Sequence, residues 1–560
     1  MRIIVLFIAV FSLVAPVHAE TIVYKGGPII TMAGDEAEVA EAVAVKNGKI
    51  IAVGEYAAVS KKAGKKAKVF DLKGRTMLPG FIDAHGHISS VGTTAGFANL
   101  SPPPVGGVSN IPQLQETLKS YERPTGMPII IGWGYDDSLM SEGRHPTRQD
   151  LDAVSKEVPI LVSHASGHLG VMNSAMLKLV GINADTKDPV GGIIRREEDG
   201  KTPNGVLEET ALFNNLKMLA PTSPEAGLPG LAAGAKNYAA SGVTTAQDGR
   251  VMPEAWPTLA IADEKLDLPI DIVVLISGER DWPDDVVAKV GQPSKGRIRI
   301  AGIKLTLDGS PQGRTAWLRD PVPVPPAGKG KDYHGYPSMK PEDLAAKLQW
   351  VADNDFQLFA HVNGDAAAQA LIDGVRKHGL SGKRTIAIHN QVVGPEQLVE
   401  MQKLDIQPSF FANHTFFWGD WHREVSIGQK RADFISPQAS AWKVGLRPTA
   451  HNDSPVVPTD MMRLVWSSVN RRTRSGDILG PLERVTPYRA LQQVTINAAW
   501  QIKEDASKGS IAKGKRADLV ILDRNPLTVD AMDIKNIKVV ATIKDGKTIF
   551  GNLDNADSAK

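Results

Sequence analysis

Between residues 243 and 389 one alternation recurs along the chain, without any repeat of sequence. A short apolar run ends on a polar residue, and an amphipathic or irregular stretch leads to the next run. The runs lie at 243–246, 271–275, 302–305, 357–361 and 385–389. Continuous apolar runs of this length are those of strands buried on both faces, and parallel strands need a crossover between each pair. The alternation therefore predicts a parallel α/β sheet, and two earlier runs, 128–132 and 159–163, are candidate strands of the same kind. Asp248, Lys304, His361 and His389 stand at or near strand ends. In an α/β barrel those ends form the reactive face, and 560 residues can hold such a barrel as one unit.

Both ends of the chain have a different texture. Residues 21–24, 42–45 and 49–53 are short β-branched runs, the last two separated by Asn47-Gly48, a two-residue hairpin signal. Residues 517–522, 537–543 and 547–550 repeat the style, with Asp545-Gly546 turning the last pair. Neither end has enough strands to bury a core alone, so the two are expected to pair into one small β-domain. The expected division is 20–78 and 508–556 for that domain and 79–507 for the barrel. Residues 101–220, rich in Pro and Gly, are read as an insertion covering the barrel's reactive face, and 321–330 as a further irregular loop.

Residues 1–19 form a separate segment. Arg2 precedes an apolar run at 3–14, and Val17-His18-Ala19 offers small residues where signal peptidase reads them. The expectation is cleavage before Glu20 and export to the periplasm or medium; an uncleaved first strand or anchor is the alternative. The run is too short for a permanent bilayer span. There are 64 basic and 62 acidic residues, a formal charge of +2 that gives no footprint for nucleic acid or an anionic membrane. Cysteine is absent. Disulfides, thiolate ligands and a cysteine nucleophile are thereby excluded, and any metal must be held by His, carboxylate or a modified side chain.

The segment 77–87, Met-Leu-Pro-Gly-Phe-Ile-Asp-Ala-His-Gly-His, carries the most chemistry. Residues i and i+2 of a strand point the same way, so His85 and His87 can present two imidazoles to one ion, with Gly86 removing bulk between them. A bare His-x-His is weak, but this one closes a β-run and precedes three ligand-type residues that each end their own strand. Neither a Gly-x-Ser-x-Gly elbow between strand and helix nor a phosphate-binding glycine loop occurs.

With these residues in place, the sequence resembles the amidohydrolase superfamily, and within it the family 3 branch that includes N-substituted formamide deformylases. The resemblance covers nearly the whole chain after residue 19. It rests on 78–87, on Gly-His-Leu-Gly-Val-Met-Asn-Ser at 167–174, and on Gly-Val-Leu-Glu at 205–208. It continues through Ser-Gly-Val-Thr-Thr at 241–245, Ile303-Lys304, Asp308-Gly309-Ser310, and His-Val-Asn-Gly-Asp at 361–365. The stretch 509–520 completes it.

The resemblance implies a distorted TIM (β/α)8 barrel, a small β-sandwich built from both ends, and a two-metal site, usually zinc. His85 and His87 would hold one ion. Lys304, as a carbamate, would bridge both, because a plain ammonium repels a metal whereas a carbamate is an anionic oxygen donor. His361 and His389 would hold the second ion, and Asp453 would touch the first and act as general base. Each also has a plainer reading: Lys304 as an ordinary strand-end cation, and Asp453 and Asp365 as helix caps. His168 is read as a substrate or oxyanion contact, or else a buried structural histidine. Arg314 and Trp317 are placed at the pocket by resemblance alone. Residues 410–421, which include His414 and Trp418 and are followed by His422, are a pocket wall, a lid or core. The implied activity is hydrolysis of a non-peptide carbon–nitrogen bond in a small amide, N-formyl compound, cyclic amide or carbamate. Alternatives are an esterase, lactonase or deaminase on the same site, or an exported binding protein with an inactive site. Substrate, metal identity and oligomeric state stay open, because the loops that set specificity are the least constrained part of a barrel.

Overall fold

The structure is a computed structural model that describes residues 20–123, 127–216, 223–326 and 328–552. The expected signal segment, 1–19, lies outside the described residues. At the centre is a sheet of eight parallel strands in chain order: β1 (Phe81–Ile82), β2 (Val243–Val251), β3 (Asp271–Ser277), β4 (Ile298–Thr306), β5 (Leu358–Val362), β6 (Thr385–His389), β7 (Ile406–Phe410) and β8 (Thr449–Ala450). Beyond the short strands β1 and β8 the backbone joins them: Asp453 N donates to His85 O (3.1 Å) and His87 N to Ser454 O (2.8 Å). The result is a TIM-like barrel. Ile82, Val273, Leu275, Ala301, Phe359, Ile386 and Ile388 pack together inside it with Ala498, Ala499 and Ile502, so the helix Ile496–Gln501 plugs the floor. Gln501 fixes that plug by donating to Ala84 O at 2.7 Å and accepting from Thr449 Oγ1 at 2.6 Å.

One irregularity in β4 sets the site. Val274 pairs with Ile300 and Leu275 with Gly302, which leaves Ala301 as an extra residue. A bulge of this kind reverses the alternation of the strand beyond it. Ile298 and Ile300 face the outer core before the bulge and Ile303 and Leu305 after it, while Ala301 packs inside. Lys304 is thereby turned into the barrel, where it is 2 % exposed.

The strands of the two ends meet as expected but in a single sheet. Leu519–Leu522 pairs with Thr76–Pro79, which continues through Thr21–Ile30 to the hairpin Val39–Lys46/Lys49–Gly54. The long strand Thr21–Ile30 takes Lys68–Asp71 as neighbour along its first half and Thr76–Pro79 at Ile29. That change of partner keeps eight strands hydrogen-bonded as one sheet, where a sandwich of two sheets was expected. It shares a core with Ile511 and Ala517.

The region read as an irregular insertion has its own six-stranded sheet. The runs at 128–132 and 159–163, read above as strands of the parallel series, become Ile130–Tyr135 and Ile160–His164 of this sheet. They pair in parallel, but Leu169–Met172 and Pro203–Glu209 extend the sheet antiparallel, so it has no place in the barrel. Among the described residues no helix is long and apolar enough to cross a membrane.

Asp271, opening β3, ties the terminal sheet to the barrel. Its carboxylate lies 2.6 Å from Lys508 Nζ, 2.7 Å from Lys544 Nζ and 2.9 Å from both Arg297 and Arg516. Burial raises the Asp271 pKa, but Lys544, Lys508 and Arg516 overcome this and hold it far below the usual carboxylate range. A depressed folded pKa stabilises above the unfolded value, about 3.9, and the contribution is lost only as pH falls well below that. Asp271→Ala leaves two buried ammonium groups without their shared partner and is expected to cost about 3–5 kcal/mol. Urea unfolding at pH 7 measures it. At pH 2 the gap between variant and parent should narrow.

Candidate metal centre

Six polar side chains converge where the strand ends meet. His85 and His87 follow β1, Lys304 lies on β4, His361 on β5, His389 ends β6 and Asp453 follows β8. All six line one cavity of about 480 Å³, and its apolar walls include Phe97, Trp133, Phe213, Leu231 and Met252. His85 Nε2 is 3.2 Å from Lys304 Nζ and 3.6 Å from Asp453 Oδ1. His87 Nε2 is 3.2 Å from Asp453 Oδ1, and His389 Nδ1 is 3.9 Å from Asp453 Oδ2. The rings of His361 and His389 lie 4.5 Å apart. His85, His389 and Asp453 each offer a ligand atom within 4.8 Å of the others.

The local backbone is made for this. His389 (φ +70°) and Asp453 (φ +56°) hold positive φ, a costly conformation for these residues that the surrounding barrel enforces. Gly249 presses on the His85 ring so closely that a Cβ there would lie 2.1 Å from Cε1. Gly86 has the same function on the other side: a Cβ would meet Tyr238 Oη at 2.4 Å, so its hydrogen makes room for the barrel wall as well as separating the two histidines.

The electrostatics favour a cation. Burial holds His85, His361 and His389 well below the ordinary imidazole range, so all three are neutral donors. Burial opposes ionisation of Asp453, yet the nearby imidazole of His87 keeps its pKa at about 2. Burial brings Lys304 down to about 7. Asp453 Oδ1 is buried without a hydrogen-bond partner, although two imidazole nitrogens stand near it. An orphaned carboxylate oxygen in a ring of neutral imidazoles fits a divalent metal ion.

Partners behind the imidazoles, invisible in the sequence reading, fix their orientation. His85 Nδ1 lies 3.5 Å from Gln247 Oε1, which leaves Nε2 facing Lys304 and Asp453. His361 Nε2 donates to Gly309 O at 3.0 Å. His389 Nδ1 meets His451 Nε2 at 3.1 Å, and His451 Nδ1 meets Ser409 Oγ at 2.9 Å. Only His451 had a signal that could have found it: it stands two residues from Asp453, the spacing of His85 and His87.

The remaining expectations divide. His168 lines the cavity, its ring 5.2 Å from that of His361, and Nδ1 is 2.6 Å from Glu209 Oε2. Against the lowering effect of burial, Glu209 holds its pKa above the ordinary imidazole value. Arg314 and Trp317 are not among the lining residues. Arg314 donates to Val324 O and Pro325 O and lies over Trp421, while the Trp317 amide donates to Asp308 Oδ2. The resemblance placed them there, and in the structure the turn after Gly309 carries them away. Asp248 sits behind His87 with Oδ2 2.5 Å from Ser89 Oγ. Asp365 opens the helix Asp365–Lys377 and accepts from Arg319 N. Phe411, Phe417 and Trp418 pack with Ala165 and Val457 as a small core between the barrel and the inserted sheet.

Residues 68–550 match the amidohydrolase family. The chain belongs to that family. It is accordingly a metal-dependent hydrolase of carbon–nitrogen bonds. It is 30% identical over 530 residues to the N-substituted formamide deformylase of Arthrobacter pascens, covering 90% of this chain and 94% of the relative. It is 26% identical over 530 residues to Protein LONG AFTER FAR-RED 3 of Arabidopsis thaliana, covering 91% and 88%. The crystal structure of an uncharacterized metal-dependent hydrolase from Pyrococcus horikoshii superposes with a TM-score of 0.73 at 24% identity, over 91% of this amidohydrolase and 99% of that chain. This likeness shows the shared fold.

Removing the brace behind His389 should weaken metal binding without removing any of the six converging groups. For His451→Ala we expect a metal affinity about 10–100-fold lower with the circular dichroism spectrum unchanged. Competition with a chromophoric chelator reads it out.

Proposed function

We propose that His85, His87, Lys304, His361, His389 and Asp453 form a two-metal centre at which this amidohydrolase cleaves a carbon–nitrogen bond of a small molecule. In this reading His85 and His87 hold one ion, His361 and His389 the other, and Asp453 touches the first. The observation that carries it is Asp453 Oδ1, buried and unpartnered among neutral imidazoles. Lys304 supports it from below. Its Nζ faces an imidazole, and burial outweighs the pull of Asp453 and Glu279 on its positive charge, so conversion to a carbamate would replace a disfavoured cation with the bridging anion that two ions would need. We take zinc as the ion, since imidazole and carboxylate oxygen suit it.

When bound, the ions would lower the pKa of a water and polarise the scissile carbonyl. The chain's own residues do the rest. Asp453, ionised at neutral pH, takes the water's proton on a carboxylate oxygen and delivers it to the departing nitrogen. His168, braced by Glu209, faces the same cavity and can donate to the substrate oxygen. The apolar walls exclude water around the reacting bond and take an apolar substituent of the substrate. The name of the Arthrobacter relative points to an N-substituted formamide as the first compound to try. The apolar run at 3–14 supports an exported enzyme.

Metal analysis of the purified protein with a panel of N-formyl, N-acyl, carbamate and lactone substrates tests this reading. Two ions per chain and turnover of an amide or N-formyl compound are expected. Lys304→Ala and His85→Ala should each lower kcat/KM at least 100-fold, about 2.7 kcal/mol or more of transition-state stabilisation. Ester cleavage with no amide turned over, or full activity in either variant, would refute it.

A further inference from the structure

A second set of ligand-type side chains lies in the inserted sheet, behind the wall of the catalytic cavity. Ile130–Tyr135 and Ile160–His164 run side by side in parallel, with Tyr135 opposite His164. Their neighbouring ends carry Asp136, Asp137 and His164, which are 1 %, 3 % and 0 % exposed. His164 Nε2 lies 3.2 Å from Asp137 Oδ1 and 3.6 Å from Asp136 Oδ1, and the three ligand atoms fall within 4.8 Å of one another. Ligand atoms at tetrahedral positions about 2.0–2.1 Å from a zinc ion would be roughly 3.3 Å apart.

Two of these atoms are unpartnered. Asp137 Oδ1 and His164 Nε2 are buried, near each other, and neither has a hydrogen-bond partner. They flank a common point instead of aligning as donor and acceptor. The rest of the cluster is held from outside. Asp136 Oδ1 accepts from Ser138 N at 3.0 Å and Ser138 Oγ at 2.5 Å, and Oδ2 accepts from Trp418 Nε1. Ser166 braces His164 from behind: its backbone N–H donates to Nδ1 at 3.0 Å, and its Oγ lies 2.9 Å from the same nitrogen. A fourth candidate donor, His145 Nε2, stands 3.5 Å from Asp137 Oδ2 with Nδ1 fixed by Tyr135 Oη at 3.1 Å.

Charge balance points the same way. Arg195, a guanidinium whose charge reaches Asp137, also donates to Glu208 Oε1 at 2.5 Å, so the two buried carboxylates share it with a third. A proton on His164 offsets one of them; a divalent ion offsets both. We infer that Asp136, Asp137 and His164, with His145 adjacent, hold a divalent metal ion separate from the barrel's centre. Two carboxylates with imidazole nitrogen make zinc the natural probe.

Such an ion would act on the enzyme through one turn. Ser166 rests on His164 and accepts the His168 amide at 3.1 Å, and Ser163, Ser166 and His168 line the catalytic cavity. The ion would thus clamp the segment that presents His168.

Crystals of the full chain equilibrated with zinc, with diffraction collected across the zinc absorption edge, test the inference. An anomalous peak enclosed by Asp136, Asp137 and His164 is expected, separate from any signal at His85 and Asp453. In solution, folded Asp137→Asn should bind one zinc ion fewer per chain than the unaltered protein and lose the added thermal stability that this ion confers. No peak at the cluster in the zinc-equilibrated crystals overturns the proposal, whether or not the barrel centre is loaded. Equal zinc stoichiometry in a folded Asp137→Asn does the same. Should that variant fail to fold, the map of the unaltered chain decides alone.

Discussion

Two backbone hydrogen bonds, Asp453 N to His85 O and His87 N to Ser454 O, make the rest of the arrangement possible. β1 and β8 are each only two residues long, too short to hold a sheet edge closed by their own ladders. Past their ends the chain still runs extended and pairs, and that pairing brings a His-x-His segment beside the residue that ends His-x-Asp. Had the sheet stayed open there, His85 and Asp453 would stand on opposite edges of it. Closure also explains the strain accepted at Asp453, whose positive φ lets its amide reach β1 while its carboxylate turns inward.

The positions that converge on the cavity were legible because strand alternation is a local rule. His85 with His87, and the polar ends of β5 and β6, follow from periodicity and from the general geometry of barrels. The family resemblance supplied their order and proposed roles. Lys304 was harder. From Ile298 and Ile300 the alternation would turn it outward, and only the extra residue Ala301 reverses the phase. A bulge needs a partner strand to define it, so no reading of β4 alone could have found it. The runs at 130–135 and 160–164 failed for a related reason. A parallel pair buried on both faces has the same composition whether it stands in a barrel or in a separate sheet, and only the antiparallel partner Leu169–Met172 distinguishes them. Arg314 and Trp317 were placed by resemblance alone, and a turn within a few residues points them elsewhere.

The architecture separates two tasks. The barrel contributes the converging imidazoles, the lysine and the carboxylate, each on or just past a strand whose neighbours fix it within a packed interior. The inserted sheet contributes His168, Ser163 and Ser166 and the wall residues Ile131 and Trp133. Substrate selection can therefore change through the insertion while the reactive centre stays fixed, a division of labour that barrels with elaborated loops allow.

That division has a physical requirement. A side chain that must meet a substrate within a few tenths of an ångström of its productive position is only as well placed as the element behind it. His168 sits on a tight turn between strands, and turns are the least rigid part of a sheet. Glu209 braces its ring at Nδ1, and Thr315 in turn donates to the other oxygen of Glu209 at 2.8 Å, tying the turn to the loop after β4. Ser166 braces its backbone from the opposite side through His164. The inserted sheet is thus fastened to the barrel at the point where it enters the cavity. The histidine contributed by the insertion is held at both its ring and its backbone.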